Sequence, residues 1–189
     1  MTDFFAKAVK PTDVFRIVMT EDPTQARSLK RKWAKIWNRQ KWRLSAPIMQ
    51  AIFIGSQAAT VKQVKSIIRV LPSLLQGGGM GLYLGKNCKC PANHVITSIR
   101  GDVILATKQQ TLHEQRYTWT MEDETTCKYA ISQAGGYHNV TKFINSAQGT
   151  GKAANVRIEW MYNGLLGLLY TNINIDKDST ELLLDYTLL

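Results

Sequence analysis

Apolar residues near the start of the chain recur at helical spacing. From Ala26 to Trp37 they stand three or four positions apart, which places them on one face of an α-helix of about five turns. Asp22 and Pro23 precede this stripe as an N-cap residue and a first helical residue. The apolar run Ile48–Ile54 that follows fits a strand or a helix equally well.

From about residue 61 the pattern changes to short β-type runs separated by polar and Gly-rich turns. Eight runs follow one another: Ile67–Leu71, Gly81–Leu84, His94–Ile99, Asp102–Ala106, Arg116–Met121, Cys127–Ser132, Asn155–Met161 and Leu165–Thr171. Val14–Met19 adds a short strand or buried run before the helix. This pattern predicts a mainly β domain over residues 61–189, with residues 1–60 as a largely helical N-terminal extension.

Four of the five positions from Gly77 to Gly81 are glycine. A phosphate-binding loop would end in Gly-Lys-Ser or Gly-Lys-Thr, and a dinucleotide fingerprint would carry a third glycine at a fixed offset. Both would lead into a helix, whereas a β-like run follows here, so both nucleotide motifs are excluded. By itself the turn is more typical of a structural hairpin than of a ligand loop.

The net charge of +10 lies in the first third of the chain. Residues 1–70 contain 14 Lys and Arg against 4 Asp and Glu, and residues 71–189 contain 10 of each. The stretch Arg27–Arg43 holds eight basic residues and no acidic one. It could bind nucleic-acid phosphates, dock to an acidic protein surface, or pack its tryptophans on the core with its charges in water. A membrane surface is disfavoured because the apolar stripe is short and made of core-type residues.

The cysteines indicate a reducing compartment. Cys88, Cys90 and Cys127 form an odd set without repeated spacing, so we expect thiols in the cytoplasm or nucleus. No second Cys or His pair stands at zinc-site spacing, and we expect no metal. The N-terminus lacks the apolar run of a signal peptide. No stretch approaches the roughly 20 apolar residues of a membrane span, so we expect a soluble protein.

Four segments, taken together and in order, resemble the SET-domain family of protein lysine methyltransferases. They are the Gly-rich stretch Ile68–Tyr83, the stretch Cys90–Ile104, the stretch Tyr129–Asn145 ending in Lys142-Phe143-Ile144-Asn145, and the closing Glu181-Leu182-Leu183-Leu184-Asp185-Tyr186. The last two are similar to the family's Arg-Phe-Ile-Asn-His-Ser and Glu-Glu-Leu-x-x-Asp-Tyr motifs. No single motif is specific, and the resemblance rests on their order over roughly residues 66–187.

The resemblance implies a SET-type β-clip fold whose C-terminal segment threads under a loop in a pseudoknot. It implies methyl transfer from S-adenosylmethionine, without a metal, to a lysine of a protein substrate such as a histone or another basic protein. The implied cofactor-binding residues are Gly79, Met80, Gly81, Leu82, Tyr117, Lys142, Asn145 and Ser146. Tyr186 would be the catalytic tyrosine, and Leu184 and Tyr129 would line the substrate channel. Leu184 replaces the family's Phe or Tyr, which implies room for more than one added methyl group.

The sequence departs from the family at several positions. Ser146 stands where the family carries His, and a longer loop ending at Asn155 replaces its Cys-x-Pro-Asn portion. No Cys-rich segment flanks the region, so the resemblance is to compact members without zinc modules. The channel wall would then come from residues 1–60, from a second subunit in a homodimer, or from the substrate. The alternative function is a non-catalytic SET-like binding module whose basic arm binds nucleic acid.

Overall fold

Two α-helices form the N-terminal part of the computed structural model, which describes residues 16–17, 23–56, 67–105, 118–121, 129–133, 140–162, 166–176 and 180–186. Helix α1 spans Pro23–Gln40, a 3₁₀ turn follows at Lys41–Arg43, and helix α2 spans Ala46–Ser56. The predicted α1 is confirmed with Pro23 as its first residue, while Asp22 lies outside the described residues. The ambiguous apolar run forms α2. Within the described residues, no helix combines the length and apolarity needed to cross a membrane.

The described strands form three sheets. A four-stranded sheet contains, in spatial order, β1 (Arg16–Ile17), β5 (Asp102–Leu105), β7 (Tyr129–Ser132) and β6 (Thr118–Met121). A five-stranded sheet contains, in spatial order, β4 (Val95–Ser98), β10 (Leu166–Thr171), β9 (Val156–Met161), β11 (Leu183–Leu184) and β8 (Asn145–Ser146). A hairpin pairs β2 (Ile68–Pro72) with β3 (Met80–Leu84).

The prediction of a mainly β fold with a helical N-terminal region is confirmed for the described residues. Each of the eight predicted runs overlaps a strand, and β1 lies within the run Val14–Met19. The pattern did not predict β8 and β11, which have two residues each. They pair in parallel, Leu183 with Asn145 and Leu184 with Ser146. Two residues are too few to show the alternation by which a strand is recognised.

The apolar stripe of α1 is buried, as its spacing predicts. Its buried residues are Ala26, Leu29, Trp33 and Trp37. The ring centroids of Trp33 and Trp37 lie 5.9 Å apart, and Trp33 also lies 6.4 Å from the ring of Tyr162, just after β9. One hydrophobic core extends from this stripe through α2 to the sheets. Trp33 and Trp37 are therefore packing residues.

Helix α2 packs on the five-stranded sheet through β4. Met49 and Ile52 are fully buried. Gly55 lies so close to Ser98 that a Cβ at position 55 would collide with the serine side chain and backbone. The close approach of helix and strand explains why glycine occurs near the end of this apolar helix.

Candidate active site

The Gly-rich turn closes the hairpin of β2 and β3. Pro72 pairs with Met80 at the end of the ladder, and the Ser73 N–H donates to Gly79 O at 2.8 Å. Gly77 and Gly79 have φ values of 75° and 61°, a region that costs glycine little. The predicted hairpin turn is confirmed. A Cβ at Gly79 would meet nothing within 4 Å, and Met80 is exposed, so this backbone is accessible to a ligand.

The C-terminal segment, residues 180–186, runs beside β3 and then forms strand β11 of the five-stranded sheet. On one side, the Leu182 N–H donates to Leu82 O at 2.7 Å, and the Leu84 N–H donates to Thr180 O at 3.3 Å. On the other side, strand β11 of the segment pairs in parallel with β8 and β9. The three leucines of the segment, Leu182, Leu183 and Leu184, are buried. The segment therefore joins the Gly-rich hairpin to the sheet.

Glu181 holds the turn against this segment through its side chain. The carboxylate accepts hydrogen bonds from Ser73 Oγ at 2.6 Å, Tyr83 OH at 3.1 Å and Asn145 Nδ2 at 2.9 Å. The backbone N–H of Leu74 donates to it at 3.2 Å. Glu181 is 7% exposed. A carboxylate can be buried to this extent because several donors replace the water that it loses.

The same contacts keep the carboxylate ionised. Burial by itself would raise the pKa of Glu181, but the hydrogen bonds from Ser73, Asn145, Leu74 and Tyr83 together lower it below its ordinary value. In turn, burial and the neighbouring Glu181 carboxylate raise the pKa of Tyr83. The phenol therefore stays a donor to an ionised acceptor.

Asn145 connects this cluster to the Gly-rich turn. Its Nδ2 donates both to Glu181 Oε1 and, at 3.1 Å, to Met80 O. Because an amide nitrogen has two hydrogens, both are used inside the protein. The carbonyl Oδ1 is the part of the side chain able to accept a hydrogen bond from a ligand.

Asn155 fixes the position of the C-terminal segment from the side of β9. Its Nδ2 donates to Glu181 O at 2.8 Å, and its Oδ1 accepts from the Leu183 N–H at 2.8 Å. Its backbone N–H donates to Leu183 O at 3.0 Å. A buried amide side chain suits this place because it offers one donor and one acceptor to a strand edge, as a peptide group would.

Tyr186 is the last described residue of the segment. Its hydroxyl donates to Ile144 O at 2.9 Å, and the residue is 37% exposed. Ile144 directly precedes β8, so the hydroxyl lies beside the start of that strand. A phenolic oxygen that donates its proton to a carbonyl can also accept a hydrogen bond from a ligand.

The structure brings most of the predicted site residues together. Leu184 and Tyr186 belong to the C-terminal segment, and beside it lie Gly79, Met80, Gly81, Leu82, Asn145 and Ser146. Gly81 and Leu82 face the segment, since a Cβ at Gly81 would collide with Glu181 and Leu82 O accepts from Leu182. Leu184 is buried in the core.

The remaining three predicted residues are Lys142, Tyr117 and Tyr129. Half-buried Lys142 lies in the 3₁₀ turn Val140–Phe143 that leads to β8, with Nζ 5.0 Å from the Phe143 ring centroid. Tyr117 lies outside the described residues. The backbone of Tyr129 is in β7 of the four-stranded sheet, and its side chain lies outside the described residues.

The sequence motifs indicate no site role for Glu181, Ser73 or Tyr83. The sequence holds one signal for Glu181, which directly precedes three leucines. An acidic side chain next to such an apolar run is buried only where several hydrogen-bond donors surround it. The donors themselves could not be identified, since Ser73 and Tyr83 stand 108 and 98 positions from Glu181.

Replacing Glu181 by Gln should destabilise the protein. The amide nitrogen of glutamine is a donor, so it would face some of the donors that now meet the carboxylate, and the charge is lost. We expect the free energy of unfolding to fall by about 2–3 kcal/mol in urea denaturation followed by circular dichroism. Glu159→Gln, which removes an exposed carboxylate paired with Arg157, is the control and should cost about 1 kcal/mol or less. Equal losses in the two variants would contradict the role of Glu181.

The stability difference between the wild type and Glu181→Gln should depend on pH. The folded pKa of Glu181 lies below its unfolded value of about 4.3, so its contribution is fully present above that value. It is lost as the pH falls through the folded pKa. Urea denaturation at a series of pH values should show a constant difference between about pH 6 and 8 that narrows below about pH 4. A difference that widens in acid would be inconsistent with a lowered pKa.

The sequence was compared with protein-family models and with curated proteins. No protein-family model matches the chain, and no curated protein matches it. The described residues also contain no group of three His, Cys, Asp or Glu side chains placed to hold a metal ion. A function for the chain therefore rests on the geometry around the C-terminal segment and on the resemblance of its motifs.

Proposed function

We propose that the chain is an S-adenosylmethionine-dependent protein-lysine N-methyltransferase with a SET-type β-clip fold and a C-terminal pseudoknot. One observation carries the proposal: the C-terminal segment, which holds Tyr186, contacts both the Gly-rich turn and Asn145. The turn and Asn145 are 65 positions apart in the sequence. Tyr186 lies near Asn145, since its hydroxyl donates to the carbonyl of the residue before it. These contacts support the function that the motif resemblance implies.

The residues present fit the cofactor in their chemistry. Lys142 carries a positive charge that would pair with the carboxylate of S-adenosylmethionine, and Asn145 Oδ1 would accept from its ammonium group. The methionine part of the cofactor could lie close to the exposed backbone at Gly79 and Met80. The next two residues, Gly81 and Leu82, pack against the C-terminal segment and so fix this backbone in place. Strand β8 is the outermost strand of its sheet as described, so one backbone edge of Asn145–Ser146 is available to the adenine. When bound, the cofactor supplies a methyl group on a positively charged sulfur.

The protein's own residues prepare the lysine amine. The ordinary pKa of lysine is about 10.4, so the ammonium must lose a proton before the nitrogen can accept a methyl group. Apolar surroundings disfavour the charged form, so an apolar channel for the lysine would favour release of this proton to solvent. Methyl transfer is an in-line displacement, so alignment is the main requirement. The Tyr186 hydroxyl, held on Ile144 O, would accept a hydrogen bond from the amine and direct its lone pair.

Purified protein should bind S-adenosylmethionine in isothermal titration calorimetry. Lys142→Met removes the proposed carboxylate partner and should weaken binding about tenfold or more, because hydrogen bonds to charged groups are worth roughly 1.5–3 kcal/mol. Lys86→Met removes an exposed lysine just after β3 and should leave the affinity unchanged. Absence of any cofactor binding by the wild type would overturn the proposal and favour a non-catalytic binding module.

Tyr186→Phe should lower methyl transfer about a hundredfold or more, because the amine is then no longer oriented. Cofactor affinity should be preserved. The measurement is radiolabelled methyl transfer into a cell lysate and a histone panel, with the labelled lysine mapped by mass spectrometry. Tyr170→Phe, which removes a hydroxyl from β10, is the matched control and should retain activity. Full activity in Tyr186→Phe would refute the catalytic role.

A further inference from the structure

Helix α1 carries a cationic face opposite its buried stripe. With 3.6 residues per turn, residues four positions apart are rotated by only about 40°, so they form a line along the helix. Four basic residues follow this spacing: Arg27, Arg31, Lys35 and Arg39. At about 1.5 Å per residue the line is roughly 18 Å long. It lies on the side of the helix away from Trp33 and Trp37.

The cations of this region are accessible. The exposed ones are Arg27, Lys30, Arg31, Lys32, Lys35, Arg39 and Arg43, and Lys41 is half-buried. The ion pair found among the described residues joins Arg157 to Glu159 and involves none of them. Like charges four positions apart on a helix repel each other by about 0.2–0.5 kcal/mol per pair. The helix therefore carries a repulsion that a bound polyanion would relieve.

An exposed tryptophan lies at the C-terminal end of this cationic line. Trp42 is 50% exposed, unlike the buried Trp33 and Trp37. Lys41 places its Nζ 5.0 Å from the centroid of the Trp42 ring, and exposed Arg43 follows. Aromatic rings beside a cationic groove are the surfaces on which proteins stack the bases of single strands.

We propose that the cationic face of α1 and Trp42 together bind a single-stranded nucleic acid. The cations would contact phosphates, and Trp42 would stack on a base. The four cations of the line span roughly 18 Å, so they could contact several successive phosphates of one strand. An acidic protein would also complement the charge, but it has no planar base to cover the exposed indole. The inference does not depend on the proposed methyl transfer.

Fluorescence anisotropy with a fluorescein-labelled oligothymidylate of about 20 nucleotides tests the proposal, since a single-strand site covers roughly 4–16 nucleotides. Affinity should fall steeply between about 50 and 200 mM salt. The triple variant Arg31→Gln, Lys35→Gln and Arg39→Gln removes three of the four cations of the line and should flatten the slope of log K against log salt by about 2, at roughly 0.7 per lost contact. The matched control Lys86→Gln, Lys89→Gln and Lys152→Gln removes three exposed lysines elsewhere and should keep the slope.

Trp42→Ala separates stacking from charge. It should weaken binding roughly 5- to 100-fold while leaving the salt slope unchanged, because one stacked base is lost and no phosphate contact. Circular dichroism melts confirm that each variant is folded. Three results would overturn the proposal: no binding by the wild type at low salt, equal loss in the control triple variant, or stronger competition by polyglutamate or duplex DNA than by unlabelled oligothymidylate. Preferred competition by polyglutamate would indicate an acidic protein partner.

Discussion

The buried carboxylate of Glu181 joins parts of the chain that lie far apart in the sequence. It accepts hydrogen bonds from the Gly-rich hairpin and from Asn145, while its own backbone lies beside β3. An ion taken out of water costs several kcal/mol unless it is fully compensated. Its donors, which come from the hairpin and from Asn145, must therefore assemble together around it. The site is formed by the fold as a whole.

The two glycines that flank Met80 serve this arrangement in different ways. Gly79 has a positive φ, so its conformation favours glycine although there is space for a side chain. Gly81 has no such φ, yet a Cβ there would collide with Glu181. One glycine shapes the turn, and the other lets the carboxylate approach the strand. A Gly-x-Gly pattern can thus arise from two separate constraints, one of backbone angle and one of contact.

The sequence predicted those elements whose signal is local. The period of α1 was visible because Ala26, Leu29, Trp33 and Trp37 repeat its turns, and the longer strands were visible through their composition. Strands β8 and β11 were not visible in the sequence. Each has two residues and becomes a strand only by pairing with a partner that is distant in the chain. For the same reason the motif resemblance suggested that Asn145 and Tyr186 belong to one site, but not that Glu181 links Asn145 to the turn. Which tryptophan is exposed also depended on the end of α1, where the helical period stops before Trp42.

The charge asymmetry of the chain and the chemistry of its candidate site have separate physical origins. The site owes its electrostatics to one carboxylate held by short hydrogen bonds within the neutral part of the chain. The excess cations lie on the outer face of α1, where solvent and salt weaken their field within about 10 Å. Screened charges of this kind cannot set the protonation state of a buried group, but they can hold a polyanion at close contact. One face of α1 is fixed by core packing and the other is free to recognise a partner, so the same helical period that stabilises the fold also arranges the line of cations.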